Sequence, residues 1–209
     1  MTVLSTPVLE TDRLTLRPFG PQDMDAGIAY LTSDRSVYMG GPYSRHDAWE
    51  HAAHLIGHWA VRGFGVFSIC LKGTDTAIGD AGPFFPEGWA ENEISWGIWD
   101  PAYEGRGIAF EAAQATRAWA FETLGWDTAV SYIDADNARS IALAERLGAV
   151  PDPDAALPDL PDWEGTLVYR HPKSRASEGA ASDLPRGGAD RTLSDAGRRT
   201  PTHKEGDAT

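Results

Sequence analysis

Polar and apolar residues alternate along Arg13-Leu14-Thr15-Leu16-Arg17, which predicts a half-buried strand closed by Pro18. Pro21-Gln22-Asp23-Met24-Asp25 opens a short helix reaching about Leu31, and a loop containing Gly40-Gly41-Pro42 follows. From Ser44 to Arg62 the pattern is helical, with Ser44 as cap and Gly63 as stop. At about 100° per residue, Trp49, Ala52, Ala53, Ile56 and Ala60 share one face of this helix, with Trp59 at its edge. Residues 64–72 and Ala77–Phe85 read as strands, the second ending at Pro86. Glu93-Ile94-Ser95-Trp96-Gly97-Ile98-Trp99 alternates again, with Gly97 as a bulge or point of close approach and Pro101 closing the strand. A helix over Gly107–Leu124, a strand over Thr128–Ile133 and a helix over Asn137–Leu147 stopped by Gly148 come next. A proline-punctuated loop at Leu157–Pro161 and a strand over Gly165–His171 complete the pattern. This order describes one mixed α/β domain without internal repeats.

From Pro172 to Thr209 the pattern disappears. That stretch has no aromatic residue, and only Leu184 and Leu193 have the bulk to join a core. It cannot bury enough apolar surface to offset its ordering entropy, so the expectation is a folded domain over 1–171 and a disordered polar tail over 172–209. The chain carries 18 Lys and Arg against 31 Asp and Glu, a net charge of −13. The tail is nearly neutral, which leaves the 1–171 part at −14, with 11 basic against 25 acidic residues. Such a charge argues against a nucleic-acid backbone as partner, because there is no basic field to displace counterions. It fits a cationic substrate such as an amine or basic peptide, and equally a surface charged only for solubility. Cys70 is the only cysteine and lies in the apolar run 66–71, so it reads as a small buried side chain. With no signal-peptide pattern and no apolar run near ~20 residues, a soluble cytoplasmic protein is expected.

Two turns carry the chemistry. Gly105-Arg106-Gly107-Ile108-Ala109 opens an alanine-rich helix, and Asp136-Asn137-Ala138-Arg139-Ser140 opens another. Helix N-termini present free backbone N–H groups and attract anions, so two such turns at neighbouring strand ends fit a long, phosphate-bearing ligand. A dinucleotide fingerprint is not met, since Phe110 stands where the third glycine belongs.

Three segments together resemble the GNAT acetyltransferases of the ribosomal-protein N-terminal (RimJ/RimL-like) branch. They are Leu9-Glu10-Thr11-Asp12-Arg13-Leu14-Thr15-Leu16-Arg17-Pro18-Phe19; Glu93 to Ile98 followed by Gly105 to Ala112; and Asp136 to Ser140 with Leu143, Glu145, Leu147 and Gly148. The likeness runs from about Val8 to His171. It implies an α/β fold with a mixed, mostly antiparallel sheet, its central strands splayed and flanked by helices. It further implies that acetyl-CoA is the acyl-donor substrate, its pyrophosphate held by backbone N–H groups of Gly105, Arg106, Gly107, Ile108 and Ala109. Arg106 and Arg139 are then candidates for the outer phosphates. The strand carrying Trp96, Gly97 and Ile98 would pair with the pantetheine arm, and Asn137 would contact that arm while capping its helix.

Transfer to an amine requires a base, a holder for the oxyanion and help for the leaving thiolate. Glu93 is the leading base candidate, acting through a water, with Asp80 and Glu104 behind it. Backbone N–H groups near Trp96–Ile98 would serve the oxyanion. Ser140, which matches the family serine, would serve as a hydrogen-bond donor to the thiolate. Two positions depart from the family pattern: Ala102 replaces a basic or amide residue, and Glu104 stands before Gly105, where a carboxylate repels pyrophosphate unless it points outward. His51, His54 and His58 have a spacing that zinc accepts, but the reading is a solvated face or a wall of the acceptor cleft, with no metal. The expected activity is direct N-acetyl transfer in a ternary complex to a protein N-terminus or a small amine such as a polyamine or aminoglycoside. Neither nucleic acid nor membrane is expected as partner, and the chain is expected as monomer or homodimer. The alternative from another class is a non-catalytic acyl-CoA-binding or sensing module of the same fold.

Overall fold

The structure, a computed structural model, describes residues 6–161, 163 and 165–173, so the expected tail lies outside it apart from Pro172 and Lys173. Eight strands form one sheet: β1 (Leu9–Glu10), β2 (Leu14–Pro18), β3 (Phe67–Leu71), β4 (Ala77–Phe84), β5 (Glu93–Ile98), β6 (Ala129–Asp134), β7 (Val150–Pro151) and β8 (Thr166–His171). Their spatial order is β1-β2-β3-β4-β5-β6-β8-β7. Every neighbouring pair is antiparallel except β5 and β6, which run parallel. The mixed, mostly antiparallel sheet flanked by helices is the fold class the sequence implied.

Four helices, α1 (Met24–Leu31), α2 (Arg45–Arg62), α3 (Ile108–Glu122) and α4 (Ala138–Arg146), complete the fold. Strand alternation sorts the core into two faces. Cys70 and Ala77 join Ile28, Leu31, Ala48, Ala52 and Leu55 of α1 and α2 in one cluster. Leu14, Leu16, Phe67, Ile69 and Ile78 pack against Ile108 and Ala112 of α3 in another. Cys70 is buried, and burial pushes its thiol further from ionisation, which suits a packing role.

The caps form as the sequence predicts. The Ser44 hydroxyl accepts from the Asp47 amide at 3.2 Å, and Gly63 ends α2 in the left-handed region at φ 77°. The face of α2 does not. Its buried side is Ala48, Ala52, Leu55, His58 and Trp59, whereas Trp49 is 55% exposed. The bulk of Trp49 draws the apolar stripe one residue off true, but small alanines at 48 and 52 are what let α2 pack closely on α1. The loop expected before Ser44 contains a 3₁₀ helix at Asp34–Met39, and the two-residue strands β1 and β7 are too short for alternation to announce. Gly97 is a close-approach point, as expected: a Cβ there would lie 3.1 Å from Asp80 Oδ1. The register shift falls elsewhere, between Ile69 and Cys70 of β3 where it pairs with β4.

One buried ion pair ties the first hairpin to α1. Asp23 accepts from Arg17 Nη1 at 2.6 Å and Nη2 at 2.8 Å, from the Gly20 amide at 3.0 Å and from the Ser68 hydroxyl at 2.8 Å. Asp23→Ala leaves the Gly20 amide and the Ser68 hydroxyl without their acceptor and the Arg17 guanidinium to the exposed Asp75 alone. It is expected to cost about 3 kcal/mol of stability, read as a lowered midpoint in urea denaturation.

Candidate active site

β5 and β6 share a single register pair, Glu93 with Val130, below which the Val130 amide donates to the Asn92 carbonyl at 2.9 Å. Past that rung the strands part. The Ser131 hydroxyl donates to the Ile94 carbonyl at 2.5 Å, so a side chain supplies a bond that the backbone of β6 no longer makes. His171 of β8 holds Ser131 from behind, Nε2 to Oγ at 2.9 Å. Burial, reinforced by Arg117, pulls His171 down to about 3, so it stays neutral; because Ser131 spends its proton on Ile94, the Nε2–H tautomer is the one that donates to Ser131. On the α3 side, Trp96 packs against the cores around Ile94 and Ile133 and donates its indole N–H to Ser140 Oγ at 3.3 Å. A cleft of about 1330 Å³ passes through the opening.

The half toward α3 and α4 holds the two glycine and asparagine turns. Gly105 and Gly107 adopt φ of 69° and 74°, which only glycine takes without strain, and nothing lies within 4 Å of a Cβ built on Gly105. Gly107 caps α3 with no side-chain acceptor, so the first-turn N–H groups are unspent. Arg13 braces the turn from outside, donating to the Arg106 carbonyl at 3.0 Å and pairing with Glu111 at 2.6 Å. Thr11 donates to the same Glu111 at 2.6 Å, which connects the opening segment to the glycine turn in physical terms. Asn137 caps α4, its Oδ1 accepting from the Ser140 amide at 3.2 Å.

Trp96, Gly97 and Ile98 line the cleft, and so do Gly105, Gly107, Ile108 and Ala109. Asn137, Arg139 and Ser140 line its far wall. Arg106 is not among the lining residues; its guanidinium lies 5.6 Å from the Tyr103 ring centre. Arg139 is already paired, with Glu104, and Arg35 holds the other oxygen of that carboxylate at 2.5 Å. The charge that would repel pyrophosphate is thus neutralised twice. Ala102 donates its amide to Asp100 at 2.8 Å at the start of a 3₁₀ turn.

The half toward α1 and α2 is acidic and aromatic. Glu93 is buried at the vertex of the opening, and desolvation pushes its carboxyl up to about 7. The Trp89 indole, 2.6 Å away, and the backbone amide of Tyr132 pull the other way. Asp80, opposite Gly97 in the neighbouring strand, is also pushed up to about 7 by desolvation, against hydrogen bonds from Trp99 and its own amide. Burial, with Asp80 adding, raises Tyr30 to about 12, so Tyr30 remains a neutral phenol. His51 and His54 line the cleft. His58 does not: it is buried, its Nδ1 bonded to the Phe64 carbonyl at 2.7 Å and its Nε2 accepting from the Phe85 amide at 3.1 Å. That arrangement fixes a neutral structural imidazole.

Several lining residues escaped the sequence reading. Arg146 lies 3.9 Å from the Phe110 ring centre and lines the cleft; its i+7 spacing from Arg139 was the available signal. Trp89 and Arg35 sit in connecting segments, where periodicity says nothing.

The chain matches the acetyltransferase (GNAT) domain family over residues 13–150. An acetyltransferase from Agrobacterium tumefaciens str. C58 is 40% identical, with 81% of this chain and 96% of that one covered at a TM-score of 0.75. A putative GNAT-family acetyltransferase from Bordetella pertussis is 27% identical over 79% of this chain and 99% of its own, at a TM-score of 0.65. The uncharacterized N-acetyltransferase YnaD of Bacillus subtilis is 27% identical over 143 residues, 67% of this chain and 81% of that protein. The chain therefore belongs to the GNAT acetyltransferase family, and it is an acyltransferase whose fold serves acyl-CoA substrates.

Proposed function

We propose that the protein is an N-acetyltransferase of the ribosomal-protein N-terminal (RimJ/RimL-like) kind, moving an acetyl group from acetyl-CoA to a primary amine, a protein N-terminus or a small amine, in a ternary complex. The observation that carries this reading is a buried carboxyl near neutrality, Glu93, at the vertex of a parallel pair that opens into a cleft. The donor half fits acetyl-CoA. The unspent amides of Gly107 to Ala109 suit pyrophosphate, Asn137 and the exposed edge of β5 suit the pantetheine arm, and Arg146 is a lining cation without the Glu104 partner that holds Arg35 and Arg139. The RimJ/RimL-like part of the reading rests on the sequence likeness of the three segments, two of which Thr11 and Arg13 join through Glu111.

Acetyl-CoA, when bound, supplies an acyl carbon activated by its thioester. The amine nitrogen bonds to that carbon as the carbon–sulfur bond breaks, and the ammonium proton passes to Glu93 directly or through one water. An α-amine ionises near ~8 and an alkylamine near ~10.4, so a base near 7 is matched to this task at neutral pH. The Gly97 backbone faces β4, so the amides of Trp96 and Ile98 are the ones on the open edge that stabilise charge on the acyl oxygen. Ser140 Oγ accepts from Trp96, which leaves the hydroxyl proton free to donate to the departing sulfur.

Glu93 works only as carboxylate. Its pKa is raised from 4.5 to about 7, so kcat/KM in a thiol-release assay is expected to fall tenfold per pH unit below about 7. Glu93→Gln is expected to lower kcat/KM by roughly 10²–10³-fold and flatten that limb, with acetyl-CoA binding retained. Ser140→Ala is expected to slow release by roughly tenfold. Asp80, at a similar pKa and on the same face, supports a second reading in which it is the base; then Asp80→Asn, not Glu93→Gln, removes the limb. The Glu104 clamp yields a separate expectation. Glu104→Gln removes a carboxylate beside the glycine turn and releases Arg139, so calorimetry is expected to show acetyl-CoA binding roughly threefold tighter at low salt, with the gain fading as salt rises.

A further inference from the structure

The walls around Glu93 are a chain of aromatic rings in edge-to-face contact. Phe84 stands directly opposite Glu93 in the β4–β5 pair, and its ring lies 5.5 Å from Trp89. Trp89 lies 5.2 Å from Trp163, and Trp163 lies 5.3 Å from Tyr132, each at a steep angle. All four line the cleft and all four are half-buried, so faces remain available to a ligand. The mouth continues the same chemistry: Val37, Tyr38 and Met39 on the rim are 54%, 40% and 37% exposed.

The charges in the cleft point the same way. Among the described residues, three arginines line it. Arg35 and Arg139 share Glu104, and Arg146 lies over Phe110 at the cofactor end. Among the described residues no further arginine or lysine lines the cleft to neutralise an anionic group on an acceptor, and neither Glu93 nor Asp80, roughly 13 Å apart along the strands, makes a salt bridge. An acid on the acceptor would lie in a half-buried pocket beside like charges, which costs affinity. The half-buried ring faces of Phe84, Trp89, Tyr132 and Trp163 give an aromatic body on the acceptor apolar area to cover and an edge-to-face chain to extend.

We infer that the acceptor is a primary amine carried on an aromatic body with no acidic group near the nitrogen. This rests on the acetyltransferase reading of the same cleft and narrows its substrate. Two sources present that chemistry, a small aryl-alkyl amine and a peptide beginning with an aromatic residue.

The test is thiol release by the full chain with acetyl-CoA and a matched amine set: phenethylamine, phenylalanine, phenylalanine amide, a phenylalanine-initiated peptide amide, a serine-initiated peptide amide, spermidine and an aminoglycoside. Phenethylamine or phenylalanine amide is expected to exceed phenylalanine in kcat/KM at least tenfold, and to exceed spermidine by a similar factor. If the phenylalanine-initiated peptide outruns phenethylamine, the source is a protein N-terminus; the reverse ranking makes it a small amine. Trp163→Ala is expected to raise the KM of the best aromatic acceptor at least tenfold without changing acetyl-CoA affinity by calorimetry. A kcat/KM for spermidine, the aminoglycoside, the serine-initiated peptide amide or free phenylalanine equal to or above that of the best aromatic amine overturns this substrate class and leaves the transferase reading standing. Acetyl-CoA binding without thiol release for any amine overturns both.

Discussion

Everything at the site follows from one missing ladder. Two parallel strands in the middle of a sheet ordinarily share hydrogen bonds along their length, and buried amides left without partners are costly. Here β5 and β6 meet at Glu93 and Val130 and then separate. The fold meets that cost locally. Ser131, backed by a neutral His171, bonds the Ile94 carbonyl; the Tyr132 amide turns to the Glu93 carboxyl; Trp96 fills the space on the α3 side. What remains unpaired is the cleft-facing edge of β5, and an extended ligand arm can complete it. The opening is held by specific side chains on both strands, so its width is a property of the core and not of a loop.

The outline of this arrangement was legible in the sequence because it depends on local signals. Ser44, Gly63 and Asn137 act at helix ends through their own backbone geometry, and Gly105 and Gly107 advertise left-handed turns by lacking a Cβ. Glu93 was legible too, as an acid at the head of an alternating strand. Its burial and its Trp89 partner were not, because Trp89 sits in the connection between β4 and β5, and no periodicity governs a connection. The face of α2 was misjudged for a related reason. Burial is decided by what a helix meets, so Ala48 against α1 counts for more than the hydrophobicity of Trp49. Glu104 and its two arginines come from three separate segments, a 3₁₀ helix, a turn and α4, and no spacing rule joins them.

Charge is distributed with the same economy. The domain is strongly acidic, yet the cleft contains acids of two different kinds. Glu104 is fully compensated by two guanidinium groups at the donor end. Among the described residues no cation pairs with Glu93 or Asp80, and desolvation outweighs their hydrogen bonds to bring both carboxyls up to about 7. A compensated acid is fixed in its charged state and organises its neighbours. An uncompensated one exchanges its proton near physiological pH. Separating the two kinds along one cleft lets structural and chemical carboxylates coexist within a few residues.

The shared hold on Glu104 has a thermodynamic consequence. Arg35 also donates to the carbonyls of Ile98 and Trp99, at 3.0 and 3.1 Å, and so anchors the acceptor-side segment to the end of β5, while Arg139 belongs to the opposite wall. One carboxylate therefore belongs to both halves of the cleft. A ligand that draws Arg139 away leaves Glu104 to Arg35 alone and strengthens that anchor. Linkage makes the effect reciprocal: an acceptor that prefers the anchored segment raises the affinity for whatever attracts Arg139, and by the same factor. Such a coupling would need no contact between the two ligands, because Arg35, Glu104 and Arg139 already join the two walls.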